Sequence, residues 1–432
     1  MRVLVLGASG FIGGRIASSL LSRGHDVVPC GRGGAALRRQ YPGHQVVEAD
    51  LARDGARAWL SRLAGLDAVV NAAGALGGAG LEPVHTSGPI ALFDACAELG
   101  IGHVVQISAL GADAEARSRF HLTKRAADEH FLRLRNAAAA EGGRGGWCVV
   151  RPSVVIGRGG RSTALFAALA ALPYPLRLGP GTWRVQPIHV TDLARAVAKL
   201  LEAPGPVPPR LDLVGPEPMT TDDLTRALRR WLGLRETPFL PLPAPLLRLA
   251  AEAGGAIGGG MLTRETLDML ARGNTADVRP AAEALGWRPR PLATALAAVP
   301  ATEADRWHAR LLPIRPALRL GLAVVWIGSG LISAFVTPLA NSHALLAGLG
   351  VHGAAATALT LAGAALDVAL GLALILLPRH TRLVGAAQIG VMLLFTVLAT
   401  IATPEAWADP FGPLLKNIAV LVATLALMAV GR

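Results

Sequence analysis

The sequence predicts an open, doubly wound parallel α/β sheet with a smaller mixed lobe, followed by an all-α bundle of four membrane-spanning helices. Short apolar runs alternate with helix-patterned stretches over residues 1–155. That alternation implies βαβ units and a parallel sheet with helices on both faces. Pro and Gly become dense over residues 156–312, where helices are interrupted. After residue 317 charge almost disappears, and four apolar segments follow at 318–338, 354–378, 383–403 and 413–430. Each is close to the ~20 residues that cross a hydrocarbon core.

The first strand, residues 3–6, runs directly into Gly7-Ala8-Ser9-Gly10-Phe11-Ile12-Gly13, and Ile16-Ala17-Ser18-Ser19-Leu20-Leu21 is patterned as a helix. In that setting one glycine allows the tight turn, one lets the backbone approach a pyrophosphate, and one lets helix and strand pack closely. The helix N-terminus offers N–H groups and a positive dipole end to phosphates. The expectation is a Rossmann-type dinucleotide site at Gly7, Ser9, Gly10, Phe11, Ile12 and Gly13. A second strand at 26–30 contains Pro29, which argues that it is short or irregular. Further strands are expected at 45–49, 67–71, 103–107 and 147–150, and helices at 89–99 and 119–134. Residues 142–146 and 204–209 read as surface connections. Thr220 or Thr221 caps a helix that starts at Asp222-Asp223-Leu224. The expected domains are 1–312 (nucleotide-binding core 1–155, mainly substrate lobe 156–312) and 313–432.

Of the 432 residues, 52% are hydrophobic and 17% charged, with a net charge of +12. The positive excess is arginine, since the lysines are Lys124, Lys199 and Lys416 alone. No basic run carries interleaved aromatics, and aromatics are only 4%, so nucleic acid is excluded as a partner. Cys30, Cys96 and Cys148 are too few and too widely spaced for a disulfide framework or a metal site, which fits a reducing compartment. Met1-Arg2 leads straight into the first strand, so no signal peptide is expected. Arg306, Arg310, Arg315 and Arg319 precede the first apolar segment, Arg379 and Arg382 separate the second from the third, and Arg432 ends the chain. The remaining two loops lack Lys and Arg or carry Glu405 and Asp409. By the positive-inside rule both termini are cytoplasmic. The expected location is the cell inner membrane, multi-pass, within the lipid bilayer.

The second strand ends Cys30-Gly31-Arg32-Gly33, with no acid to bind a ribose 2′-hydroxyl. Arg32 and Arg15 are guanidinium forks suited to a 2′-phosphate. NADP(H) is therefore favoured over NAD(H).

These features resemble the short-chain dehydrogenase/reductase superfamily, in its extended and atypical branches. The resemblance covers about residues 1–310. It rests on Gly7–Gly13, Asp50-Leu51, Asn71-Ala72-Ala73-Gly74, Ser108, Lys124, Arg151-Pro152-Ser153 and Pro187-Ile188-His189-Val190-Thr191-Asp192-Leu193-Ala194. It implies that Asp50 contacts the adenine, that Asn71, Ala72, Ala73 and Gly74 lie along the cofactor, that Pro152 lies near the nicotinamide, and that Leu51 and Ser153 also belong to the cofactor site. The implied catalytic set is Ser, Tyr and Lys, with a phenol as the proton donor. Ser108 and Lys124 match, but Phe120 stands four residues before Lys124, where the phenol belongs. Phenylalanine carries no proton. His121 is adjacent but points about 100° away on a helix and reads as a surface residue. Thr123 is a poor acid, and the two tyrosines are Tyr41 and Tyr174, the second of which lies in the second lobe. His189 reads as a structural histidine beside a helix start.

Residues 317–432 resemble the DoxX-like membrane family. The signals are Trp326-Ile327-Gly328-Ser329-Gly330, the mid-span Asp367, and Asp409-Pro410-Phe411-Gly412-Pro413 leading to Lys416-Asn417. Asp367 and Ser329 sit at similar depth, as a hydrogen-bonded pair or as a proton or quinone site. The fusion looks like a recurrent bacterial architecture. Two functions stay open. One is a membrane-anchored oxidoreductase passing hydride to a small lipophilic substrate or quinone. The other is a non-catalytic NADP(H)-holding structural or sensing module docked to a membrane protein partner. The match at Ser108 and Lys124 leans the reading towards an enzyme.

Overall fold

Seven parallel strands form the main sheet of this computed structural model, which describes residues 1–75, 80–140, 145–256, 262–410 and 412–431. Counting the strands of that sheet alone, they are β1 (Arg2–Leu6), β2 (Asp26–Gly31), β3 (Val47–Glu48), β4 (Ala68–Asn71), β5 (His103–Ile107), β6 (Gly146–Pro152) and β7 (Arg210–Leu213). Their order is β7-β6-β5-β4-β1-β2-β3. It reverses between β1 and β4, and ligands of open α/β sheets bind beside such a reversal, at the carboxyl ends of the strands. The register aligns those ends: Leu6 pairs with Cys30 and Asn71, Asn71 with Gln106, and Ile107 with Val150.

The chain divides into two compact units, Met1–Arg306 and Trp307–Arg432. In the first, α1 (Phe11–Leu21), α2 (Gly34–Gln40), α3 (Ala56–Leu63), α4 (Gly88–Glu98) and α5 (Arg119–Ala140) connect successive strands. The mixed lobe adds α6 (Arg161–Ala171), α7 (Val190–Leu201), α8 (Thr221–Trp231), α9 (Ala244–Ala256), α10 (Arg264–Arg272), α11 (Arg279–Leu285) and α12 (Leu292–Ala297). Side chains alternate across a strand, so β1 serves two cores. Val3 and Val5 pack with Ile16, Leu20, Leu193 and Val197 on one face. Leu4 and Leu6 pack with Trp59, Leu63, Phe93 and Phe131 on the other. Full burial of an aromatic such as Phe93 contributes about 1.5–3 kcal/mol. Thr220 caps α8 in a reciprocal capping box with Asp223, and His189 caps α7 by accepting from the Thr191 N–H.

Some expectations need correction. Strand β2 is neither short nor irregular, and it pairs with β1 along five positions. Gly31 accepts from Ala49 on the β3 side, so Pro29, two residues earlier, faces that side too. There β3 pairs only from Cys30 onward, and no donor is missed. Conversely β3 shrinks to two residues, while β6 extends to seven. The loop expected at 142–146 falls mainly outside the described residues, as do Phe411 and Arg432.

The second unit takes most of α13 (Glu303–Phe335), then α14 (Leu339–Ala347), α15 (Gly353–Leu376), α16 (Thr381–Ala402) and α17 (Lys416–Val430). Among the described residues three helical segments are long and apolar enough to cross a membrane: Glu303–Phe335, Gly353–Leu376 and Pro378–Ala402. The fourth expected span falls short of that standard. Helix α17 has 15 residues, about 22 Å at 1.5 Å per residue, because the chain turns until Leu415.

Candidate functional site

Three glycines shape the turn between β1 and α1. Gly7 has φ +82°, and a Cβ there would stand 2.9 Å from Ala72 O. A Cβ on Gly13 would collide with Gly7 O, so α1 seats directly on the turn. Gly10 is the N-cap of α1 and supplies no side-chain cap, which leaves first-turn N–H groups such as those of Phe11 and Ile12 for an outside acceptor. Ser9 and Gly10 are exposed, and Tyr41 pins the turn by donating its hydroxyl to Ala8 O at 2.9 Å. The Phe11 ring lies against a second glycine turn, where a Cβ on Gly160 would approach it to 2.8 Å. An uncapped helix end behind a cramped glycine turn fits the pyrophosphate of a dinucleotide.

The ends of β4 and β5 meet α5 beside this turn. Asn71 is fully buried, donates to Gln106 Oε1 at 2.8 Å and accepts from the Ala73 N–H. Lys124 Nζ donates to Ala73 O at 3.3 Å and to Ile107 O at 3.0 Å. A Cβ on Gly74 would be 3.6 Å from that nitrogen and 3.5 Å from His85 Nε2. Burial lowers the Lys124 pKa to about 8, against the pull of Asp128. His85 is fully buried, accepts from the Ala75 N–H at 3.0 Å, and shares a hydrogen bond with Thr123 Oγ1 at 3.1 Å. Burial and the nearby Lys124 push its pKa down to about 3, so the ring is neutral. Phe120 lies edge-on to His85, with ring centroids 5.3 Å apart. Glu265 of α10 accepts from the Phe120 N–H at 2.9 Å and so tethers the start of α5.

Ser108 leaves the end of β5 and donates its hydroxyl to Asp128 Oδ2. Asp128 is 1% exposed, and burial raises its pKa to about 6 despite Ser108, Lys124, Arg151 and Arg210. Arg151 itself is engaged by Asp212 through Nε at 2.5 Å and Nη2 at 2.8 Å.

The sequence-expected residues therefore gather unevenly. Gly7–Gly13, Asn71–Gly74, Ser108 and Lys124 surround the carboxyl ends of β1, β4 and β5. Arg15 and Arg32 are exposed, Arg32 directly after β2. Asp50 accepts from the Ala52 N–H just past β3, and Leu51 is buried against Gly88. Pro152 closes β6, while the hydroxyl of Ser153 is committed to Gln186 O. His121 is not a surface residue as expected: it is 8% exposed, beneath the turn at Gly111. Neither tyrosine replaces the missing phenol, since Tyr41 is bound to Ala8 O and Tyr174 is 57% exposed. His85 and Gln106 carry no local sequence signal. Asp128 does, because it follows Lys124 by one helical turn and shares its face with Phe120.

Comparison with known proteins agrees with this geometry. The NAD dependent epimerase/dehydratase family matches residues 3–212, and the DoxX-like family matches residues 323–425. The chain joins an epimerase/dehydratase-type NAD-binding domain to a DoxX-like domain. The chain is 28% identical over 234 residues to a 2-alkyl-3-oxoalkanoate reductase of Stenotrophomonas maltophilia (strain K279a), covering 48% of this chain and 67% of that protein. It is 30% identical over 157 residues to the mitochondrial NADH dehydrogenase [ubiquinone] 1 alpha subcomplex subunit 9 of Arabidopsis thaliana, covering 35% of this chain. The chain spans about a third (36%) of that relative's length. Among solved structures, a UDP-glucuronic acid 4-epimerase from Bacillus cereus in complex with NAD superposes with a TM-score of 0.54 at 18% identity, over 72% of this chain and 99% of that one. This last likeness is one of fold.

Proposed function

We propose that the chain is a membrane-anchored, NAD(P)H-dependent oxidoreductase acting on a lipophilic acceptor, with a quinone as candidate. The observation that carries this reading is the buried Lys124 beside Gly74, at the mouth of an uncapped glycine turn. Gly7, Ser9, Gly10, Phe11, Ile12 and Gly13 would hold the pyrophosphate, Asp50 and Leu51 the adenine end, and Asn71, Ala72, Ala73 and Gly74 the length of the cofactor. Lys124, Pro152 and Ser153 would hold the nicotinamide half. When bound, the nicotinamide supplies hydride. Ser108 orients the acceptor oxygen, and Lys124 keeps a positive charge beside the site. Arg15 and Arg32 favour NADP(H) over NAD(H), since both are exposed and no acid ends β2. Against them stands Glu48 of β3, which lies beside Gly34.

The apolar helices support a lipophilic acceptor, as does the alkyl-oxo acid named for one relative. The arginine pattern supports an inner-membrane location with both termini cytoplasmic. One observation favours a second reading: Phe120 removes the usual proton donor. A non-catalytic NADP(H)-holding module docked to a membrane protein partner needs no such donor, and another relative is named as a subunit of a larger assembly. Acceptor series separate the two. The full chain in lipid is expected to oxidise NADPH with a short-chain quinone or a 2-alkyl-3-oxoalkanoate and to be slow with small water-soluble ketones. Equal rates across the series contradict a lipophilic acceptor, and no rate with any acceptor selects the second reading.

A further inference from the structure

Helix α5 places Phe120, Lys124 and Asp128 four residues apart on one face, under the end of β5. Phe120 has no proton to give, yet Asp128, which the family resemblance leaves without a role, touches the serine that matches the catalytic set. Its deep burial with one oxygen unpaired favours the neutral acid, against the nearby cations. Asp128 Oδ1 is buried without a hydrogen-bond partner, and Ser108 is the group that donates to Oδ2. The cations that face it are directed elsewhere. Lys124, on its own helix, donates to Ala73 O and Ile107 O, and Arg151 of β6 is held by Asp212. Arg210 of β7 acts through its charge. A buried carboxylate with one donor is costly, whereas a carboxylic acid leaves only a neutral oxygen unpaired.

We propose that Asp128 and Ser108 form a proton relay that replaces the phenol missing at Phe120. The proposal rests on the oxidoreductase reading above. Reduction of a carbonyl acceptor adds hydride to one atom and a proton to the oxygen. Ser108 gives its hydroxyl proton to that oxygen, and the Asp128 acid reprotonates Ser108 Oγ and is left as carboxylate. Water restores the Asp128 proton through the same serine once product has left. Asp128 is thus a positioning residue that acts through Ser108. The bond between them has two polarities. With Asp128 ionised, Ser108 donates inward and presents lone pairs to the site. With Asp128 protonated, Ser108 is free to donate to a carbonyl.

The test follows the carboxyl itself and then the rate, using the full chain in detergent. Infrared difference spectra of wild type against Asp128→Asn isolate the Asp128 carboxylic-acid band. That band is expected to titrate at about 6, where burial places this group. NADPH-dependent reduction of a short-chain quinone is expected to fall as pH rises through the same midpoint. Asp128→Asn and Ser108→Ala are each expected to lose about 100-fold at low pH, the usual scale of general acid catalysis, and to lose that pH dependence while still binding NADPH. An Asp128 that stays ionised throughout, or a pH profile that persists in Asp128→Asn, overturns the relay even if the enzyme turns over. A profile that breaks near 8 instead assigns the proton to Lys124 and also overturns it. A titrating band without turnover on any acceptor overturns the oxidoreductase reading, and the relay falls with it.

Discussion

The two units differ in where they put their large apolar residues. In Met1–Arg306 the large side chains are inside: Trp59, Phe93 and Phe131 are fully buried. In Trp307–Arg432 many are outside, with Phe335 82%, Val336 72% and Leu383 70% exposed. Beside a small apolar cluster that includes Leu322, Leu374 and Leu427, the second unit buries small and polar residues: Gly330, Gly371, Gly385, Thr381, Gln388, Asp367 and Arg319. The difference follows from the solvent. Water drives apolar surface together, whereas lipid is as apolar as leucine and gives no such push. Helices in lipid then associate through close packing and polar contacts. Gly330 lets α13 approach Ala364 O of α15, Gly371 lets α15 approach Ala323 O, and the Asp367 carboxyl meets the Ser329 hydroxyl. Glycine works in both units, but in the first it lets a helix and a loop close on a turn and in the second it lets one helix approach another.

Four substitutions would break or sharpen this contrast. The largest effect is expected from Gly13→Val, whose side chain would collide with Gly7 O. Overpacking of about 3 kcal/mol at the turn corresponds to about a 100-fold weaker NADPH affinity, read by nicotinamide fluorescence. Gly330→Leu drives a side chain into Ala364 and Val368 instead. It is expected to lower the thermal stability of the second unit by about 1–3 kcal/mol while NADPH affinity stays within about twofold. A shared loss of affinity would show that the two units are not separable.

Third is Asp128→Asn, where the sign is opposite. Burial lets the folded state hold the Asp128 proton up to about 6, above the usual carboxylate range. The folded protein therefore binds more protons than the unfolded chain in that window, and stability falls as pH rises through it. Asparagine removes this penalty, so the variant is expected to be more stable than wild type by about 1–3 kcal/mol at pH 7, with little difference near pH 4. Denaturant melts at the two pH values check it. The smallest effect is expected from Asp367→Ala, since interhelical hydrogen bonds in lipid average about 0.6 kcal/mol. A loss of several kcal/mol there would show that the buried polar groups of the second unit hold it together as the apolar core holds the first.

Local sterics and periodicity were readable in the chain; long-range partners were not. Gly7 and Gly13 announce the turn because a Cβ at either would meet backbone at less than contact distance. The Thr220 cap and the apolar helices are equally local. Asp367 with Ser329 followed from helical rise alone. Pro29 misleads because its effect depends on where β3 begins to pair. His121 misleads because the turn at Gly111 covers it. His85 finds Thr123 across 38 residues, and Glu265 reaches Phe120 across 145, distances at which no residue pattern indicates a contact. The candidate site was legible as a set of types, Ser108 and Lys124 with a missing phenol. The bond from Ser108 to Asp128 needed the fold.

The central claim is that this chain uses the cofactor rather than merely holding it. The most direct measurement is NADPH binding and oxidation by the full chain in lipid, with and without a short-chain quinone, beside Gly10→Asp. Tight binding with quinone-dependent oxidation, both lost when a carboxylate enters the glycine turn, is the predicted result. Tight binding that Gly10→Asp abolishes, with no oxidation by any quinone or carbonyl acceptor, would contradict it.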